Sequence, residues 1–332
     1  MKYHEDLNNA LNLFLKRNKN NILIGEDIAD PYGGAFKITK GLSNKYPYQV
    51  ISTPISEATI LGAATGLYLK GHKVIAELMF GDFITLGCDQ IINGISKFID
   101  LEKNYSKKNN GSFILRSPMG AYRGYGSTHS QSLESIFLNI PNVNIFSPNI
   151  FSKPSSILDR CISSGGFTLF VEHKISYSRE INLKKKNNFN LIIKNCEDYD
   201  VIKIVDQPPD FLILSYGYAS EIALDTIINL FLKFEIKGEI ISFKKIKNFK
   251  DDIYNEINSS KIVTLEEGAS NAGWGSYISS KLYNKKFKNL DKQILIVGSE
   301  NSSIPSSRKL EEMHLPNEEK CSKLIFDFFF NK

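Results

Sequence analysis

Residues Ile51–Phe83 read ISTPISEATILGAATGLYLKGHKVIAELMFGDF. A short edge, TPISE, leads straight into a helix of small residues (Ala58, Gly62, Ala63, Ala64, Gly66) that ends at Gly71. KVIAELMF follows as an apolar run of strand length. The stretch is therefore one strand-helix-strand unit, with Glu57 at the handover from strand to helix. Open α/β sheets hold ligands outside the carboxyl ends of their strands, so this carboxylate stands where chemistry is done.

Toward the N-terminus, Leu7, Leu11, Leu13, Phe14 and Leu15 give an amphipathic helix over Asp6–Arg17. A strand is predicted at Ile22–Ile24, stopping at Gly25, with Glu26 and Asp27 at its carboxyl end. Pro31, Gly33 and Gly34 make the next segment turn-rich before it becomes helical. Toward the C-terminus, Asp82–Lys97 reads as one helix and Lys103–Ser112 as a polar surface excursion. A strand at Phe113–Arg116 then feeds a loop with three glycines and His129; such strand-end loops carry function. SLESIFLNI starts a helix, NVNIFSP is a strand ending at Pro148, and a helix over 152–163 precedes the strand FTLFVEH. This alternation builds a parallel sheet.

The run KKKNNFN has no periodicity, and 181–204 is read as a connection. Beyond it FLILSYG, EIISFKKI, KIVTLEEG and QILIVGS alternate with helical segments. The expected fold is α/β with two doubly wound domains, residues 1–180 and 205–332. A chain of 332 residues is long for a single core, which agrees with two domains.

The net charge of +5 is modest and its lysines are dispersed, which argues against nucleic acid as a partner. Cys88, Cys161, Cys196 and Cys321 are widely spaced, with no ligand pattern for zinc, and are expected to be reduced thiols. The first twenty residues lack the apolar centre of a signal peptide, and no stretch of about 18 apolar residues occurs. A cytoplasmic protein that spans no membrane is expected.

TPISE with its Gly/Ala-rich helix, ELMFGDF, CDQIIN at Cys88–Asn93 and HSQS at His129–Ser132 occur in an order that resembles one family. It is the β subunit of thiamine-diphosphate-dependent 2-oxoacid dehydrogenases, the E1 component of pyruvate and branched-chain complexes, within the transketolase-like superfamily. The resemblance runs from about Asn21 to Cys321. It implies a pyrimidine-binding N-terminal domain and a transketolase-type C-terminal one. It also implies that Glu57 hydrogen-bonds the aminopyrimidine of the cofactor and sets its tautomer, while the cofactor carries the hard step. Ile55, Met79 and Phe83 match positions lining the pyrimidine, Phe83 as the stacking aromatic. His129 matches a histidine that assists proton transfer as the acyl group passes to the lipoyl arm, a task within reach of imidazole near neutral pH.

Gly81 and Asp82 with Asn109 and Asn110 imitate the magnesium motif of thiamine enzymes, GDG followed by NN, but Phe83 replaces the second glycine. No metal site is assigned to this chain. The resemblance then implies that Mg2+ and the diphosphate are held by an α subunit in an α2β2 assembly. A lipoyl acyltransferase (E2) is a possible further partner, and the substrate is a small 2-oxo acid. Two departures stand out. Ser163, Ser164, Gly165 and Gly166 occupy a loop that is acidic in relatives with an alkali-ion site, and NAGWGSY replaces a more glycine-rich run. Half of a split biosynthetic thiamine enzyme, passing its intermediate to a non-lipoyl acceptor, is the alternative with the same motifs. A non-catalytic scaffold is a third reading, which Glu57, Phe83 and His129 oppose.

Overall fold

Apolar runs bounded by turn residues become buried strands. In the computed structural model, which describes residues 1–105 and 111–331, these strands form two six-stranded sheets and a small hairpin. The first sheet holds β1 (Ile22–Glu26), β2 (Val50–Thr53), β3 (Lys73–Glu77), β4 (Ser112–Met119), β5 (Val143–Phe146) and β6 (Gly166–His173). All are parallel, in the order β2-β1-β3-β4-β6-β5. β1 and β4 are buried along their whole length, as in sheets covered on both faces by crossover helices. The helices of this half are α1 (Tyr3–Arg17), α2 (Leu42–Lys45), α3 (Glu57–Leu69), α4 (Ser96–Tyr105) and α5 (Pro154–Ser164). α1 buries Leu7, Leu11, Phe14 and Leu15, and its Glu5 and Asp6 at the start and Lys16 and Arg17 at the end complement the helix dipole.

The chain steps from β1 out to β2 and then crosses back to β3 on the other side of β1, so the strand order reverses there. That reversal opens a crevice at the carboxyl ends of β1 and β3. Glu26 ends β1, Glu77 ends β3, and Glu57 opens α3. Across the sheet, Arg116 on β4 is fully buried between Glu77 on β3 at 2.5 Å and Glu172 on β6 at 2.6 Å. The Tyr177 hydroxyl donates to the same Glu172 at 2.7 Å.

A hairpin of β7 (Lys185–Lys186) and β8 (Phe189–Asn190) leads to the second sheet. That sheet holds β9 (Ile192–Asn195), β10 (Tyr199–Lys203), β11 (Phe211–Tyr216), β12 (Gly238–Phe243), β13 (Ile262–Ala269) and β14 (Leu295–Ser299). Its order is β14-β13-β11-β12-β10-β9, with β9 and β10 antiparallel at one edge. It is flanked by α6 (Ala219–Phe234), α7 (Trp274–Lys286), α8 (Arg308–His314) and α9 (Glu318–Phe329). Trp274 is fully buried against Tyr216 and Phe243, and its indole N–H donates to the Ile246 carbonyl at 3.0 Å.

The two sheets meet through main chain. The Ser147 N–H donates to the Lys244 carbonyl at 2.8 Å, and the Ile246 N–H donates to the Ile145 carbonyl at 3.0 Å. Buried apolar side chains from both sheets merge into shared clusters around this seam.

Several elements differ from expectation. Gly25 lies inside β1 rather than ending it: a Cβ there would stand 2.6 Å from the Glu77 carbonyl, so the neighbouring strand leaves room only for glycine. The single helix expected over Asp82–Lys97 is a 3-10 turn (Gly81–Gly87), then a π-helical stretch (Gln90–Ile95) that runs into α4. SLESIFLNI forms only a short 3-10 turn, Glu134–Phe137. The expected connection, 181–204, contains the hairpin together with β9 and β10, so the second sheet begins inside it. The excursion at Lys103–Ser112 lies partly outside the described residues, as do Asn109 and Asn110. Among the described residues no helix is long and apolar enough to cross a membrane, and the four cysteines are free.

Candidate functional site

Three carboxyls gather at the strand-order reversal. Glu57 occupies the first position of α3 and is only 6% exposed; the N-cap is Ser56, whose hydroxyl turns to Thr59 at 2.8 Å instead of capping the helix. Glu26 is buried, and its Oε1 has no hydrogen-bonding partner. Burial, reinforced by the charges of Glu57, Asp27 and Glu77, pushes the Glu26 carboxyl up to about 7. Glu77 is raised by burial as well, against the pull of Arg116. Glu26 therefore changes charge close to neutral pH right beside Glu57.

The segment after β3 carries the aromatic wall. Phe80 and Phe83 both present edges to the His129 ring, at centroid distances of 4.8 and 5.3 Å and near-perpendicular angles of 82° and 86°. Phe36 and Tyr125 extend the cluster through Phe80, at 5.7 and 6.3 Å. Close packing ties this wall to the helix of Glu57. A Cβ at Gly87, the end of the turn that holds Phe83, would sit 2.2 Å from Leu61 of α3 and 3.9 Å from the Glu57 carbonyl.

The loop carrying His129 is anchored from several directions. Asp82 Oδ1 accepts from the Gln131 N–H at 3.1 Å and from its side-chain amide at 3.2 Å. Lys174, fully buried just after β6, donates from Nζ to the His129 carbonyl. Its ammonium also lies over the rings of Phe80 (5.4 Å) and Tyr125 (5.8 Å). Burial pushes the Lys174 amine down to about 8. From β13 of the second sheet, Glu267 accepts from the Ala121 N–H and from His173 Nε2, each at 2.6 Å. Burial works to raise the Glu267 carboxyl, but His173 and the Ala121 N–H outweigh it and hold it below the ordinary range. Beside this loop lies a polar cavity of about 460 Å³ lined by Gln131, Ser132, Glu267, Asn271 and Glu300 among others.

The expected site residues fall into two groups. Phe83 and His129, 46 positions apart in sequence, are in contact, and the start of α3, with the main chain of Glu57, lies against the Gly87 end of the Phe83 turn. Met79 is half-buried next to Phe80, whereas Ile55 is 75% exposed ahead of α3. Glu26, read from sequence at the carboxyl end of the first strand, and Asp82, read there as part of an imitation of the magnesium motif, belong to the same region, as do Phe80, Lys174 and Glu267, which were not singled out from sequence. Phe80 alone left a local signal, an aromatic three residues before Phe83 at the end of a strand. Asp82 points to Gln131, and among the described residues no cluster of His, Cys, Asp and Glu suited to a metal is present.

Comparison with known proteins gives a consistent assignment. Residues 1–179 match the family described as the transketolase pyrimidine binding domain, and residues 200–321 match the transketolase C-terminal domain. Pyruvate dehydrogenase E1 component subunit beta of Mesostigma viride is 30% identical over 318 residues, 94% of this chain and 92% of the relative. Acetoin:2,6-dichlorophenolindophenol oxidoreductase subunit beta of Cupriavidus necator is 27% identical over 322 residues, 94% of this chain and 92% of that one. Among solved structures, a split gene transketolase described as an inactive beta4 tetramer superposes with a TM-score of 0.75 at 16% identity, covering 100% of this chain and 99% of the other.

Proposed function

From the premise that the chain belongs to the transketolase-type family of E1 β subunits of 2-oxoacid dehydrogenases, we propose that it supplies the pyrimidine half of a thiamine-diphosphate site. With an α subunit, the assembly decarboxylates a 2-oxo acid and transfers the acyl group to a lipoyl domain. One observation carries this reading: Glu57, a buried carboxyl that opens α3 at the strand-order reversal, shares its surroundings with Glu26, a second buried carboxyl that has an unpartnered oxygen and feels the charge of Glu57. Two buried carboxyls, one of them pushed up to about 7, with an aromatic wall on the segment after β3, fit a flat, protonatable heterocycle.

Thiamine diphosphate, when bound, supplies the electron sink for decarboxylation. Glu57 would hold its pyrimidine ring by a hydrogen bond, with Glu26 as the neighbour that keeps a proton available. Phe83, Phe80 and Met79 would wall the ring and exclude water. Ile55, exposed on the isolated chain, would meet the cofactor from the face that the α subunit covers. His129 has Nδ1 paired with the Thr128 hydroxyl at 2.9 Å, which leaves Nε2 to give or take a proton during acyl transfer.

Mg2+ and the diphosphate are assigned to the α subunit; in this chain Asp82 Oδ1 is turned to Gln131. An α2β2 assembly, an E2 partner and a cytoplasmic setting complete the proposal, with a first domain over 1–180 and a second that takes in β9 and β10 as well as 205–332.

The test is co-purification with the α chain and reduction of 2,6-dichlorophenolindophenol with pyruvate and branched 2-oxo acids. Glu57→Gln is expected to lower turnover by about 10²-fold or more while the assembly still forms. His129→Ala is expected to slow acyl transfer to lipoamide more than dye reduction. Wild-type turnover in Glu57→Gln refutes the assignment. Activity seen only with an aldehyde acceptor selects the biosynthetic alternative.

A further inference from the structure

We propose that Lys174 is a positioning residue for His129: its buried ammonium, bonded to the His129 carbonyl and seated on Phe80 and Tyr125, fixes where the imidazole stands. This rests on the role proposed for His129 and extends it to a residue 45 positions away.

Lys174 is fully buried, where a lysine is retained only when its charge is satisfied. Among the described residues it forms no carboxylate ion pair within 4 Å; the partners are a peptide carbonyl and two ring faces. Its location accounts for that choice. The Lys174 N–H donates to the Met119 carbonyl at 3.2 Å, and its own carbonyl accepts from Arg123 Nη2 at 2.8 Å. The residue is thus tied to both the end of β4 and the glycine-rich loop that begins there.

Asp82 supplies the opposing grip. It accepts from the Gln131 N–H, so Lys174 and Asp82 hold the two peptide groups on either side of Ser130. Ser130 is itself fully buried, with a hydroxyl that has no partner, so the loop is fixed by its main chain and not by that side chain. The Lys174 cation lies over the Phe80 ring and the His129 ring meets the same Phe80 nearly at right angles, so one aromatic side chain registers both the lysine and the imidazole. Loss of the ammonium frees the carbonyl of His129 itself. A displacement of about 1 Å at a proton-transferring group is enough to cost about 10²-fold in rate.

The test compares Lys174→Met, Lys174→Gln and Lys174→Arg in the assembly co-purified with the α chain. Hydrogen exchange of the segment spanning 126–132 is read first, because it needs no substrate or turnover. Lys174→Met is expected to raise exchange there about tenfold or more, with α3 unchanged. Acyl transfer to lipoamide should fall about tenfold or more, against a loss of about threefold or less in dye-coupled decarboxylation. Lys174→Arg should recover most of both readouts, and Lys174→Gln, which keeps a donor without a charge, should fall between. Unchanged exchange, or equal losses in the two half-reactions, overturns the proposal. So does insolubility of all three variants, since that marks Lys174 as a folding residue. If the wild-type assembly decarboxylates no 2-oxo acid, the functional reading fails instead, and the exchange result still stands.

Discussion

Glu26→Gln is the perturbation with the sharpest expected outcome. A carboxyl that titrates at about 7 in the folded chain instead of the ordinary 4.5 burdens the folded state once ionised, at about 1.4 kcal/mol for each tenfold shift, or roughly 3 kcal/mol in full. The sign follows from proton binding. Between pH 4.5 and 7 the folded chain holds a proton at Glu26 that the unfolded chain has released, so stability falls as pH rises through that window. The cost is complete above 7 and absent below 4.5. Glutamine removes the titration, and its amide can donate toward Glu57. At pH 8, Glu26→Gln should therefore be more stable than wild type by about 2 to 3 kcal/mol, which for a chain of this size is several degrees in Tm. At pH 4.5 the two should melt together. Calorimetric scans of the purified chain at half-unit pH intervals give the difference curve directly. A variant equally destabilised at both ends of the range would show that Glu26 is held by hydrogen bonds and not strained by its charged neighbours.

Other substitutions probe the frame around the site. Arg116→Met leaves Glu77 and Glu172 buried without their shared cation and should cost about 3 to 5 kcal/mol at pH 7.5 in urea titrations. Burial already raises the Glu77 carboxyl against the pull of Arg116, so without that cation it can protonate, and the deficit should shrink at pH 5. Gly120→Ala places a Cβ 2.0 Å from His173 Nε2 at a residue with φ of +91°. It should break the His173 to Glu267 bond and destabilise by about 2 to 4 kcal/mol, read as a drop in Tm.

Much of the frame was legible because buried parallel strands announce themselves as apolar runs: ILI, KVIA, FILR and TLFVEH all became strands of the first sheet. The π-helical stretch was not, since its spacing of apolar residues resembles that of an ordinary helix over so few turns. β9 and β10 were hidden for a different reason. The edge strand β9 is half polar and largely exposed, and β10 beside it carries Asp200, buried because Lys244, Asn149, Ser152 and Asn195 satisfy it, the first three distant in sequence. In the site, Glu57 and Phe83 were readable from a local motif. Lys174 and Glu267 were not: each is an ordinary charged residue in sequence, and what gives it a task is a neighbour 45 or 94 positions away.

The main-chain stitches between Ser147 and Lys244 and between Ile246 and Ile145 bear on how such a chain tolerates drift. A bond between two peptide groups has no side chain to lose, so replacements can accumulate on either flank without prying the halves apart. Chains that share about one position in six can then keep both sheets in the same relative pose. The full-length superposition on the split gene transketolase chain at 16% identity is what such a joint would produce.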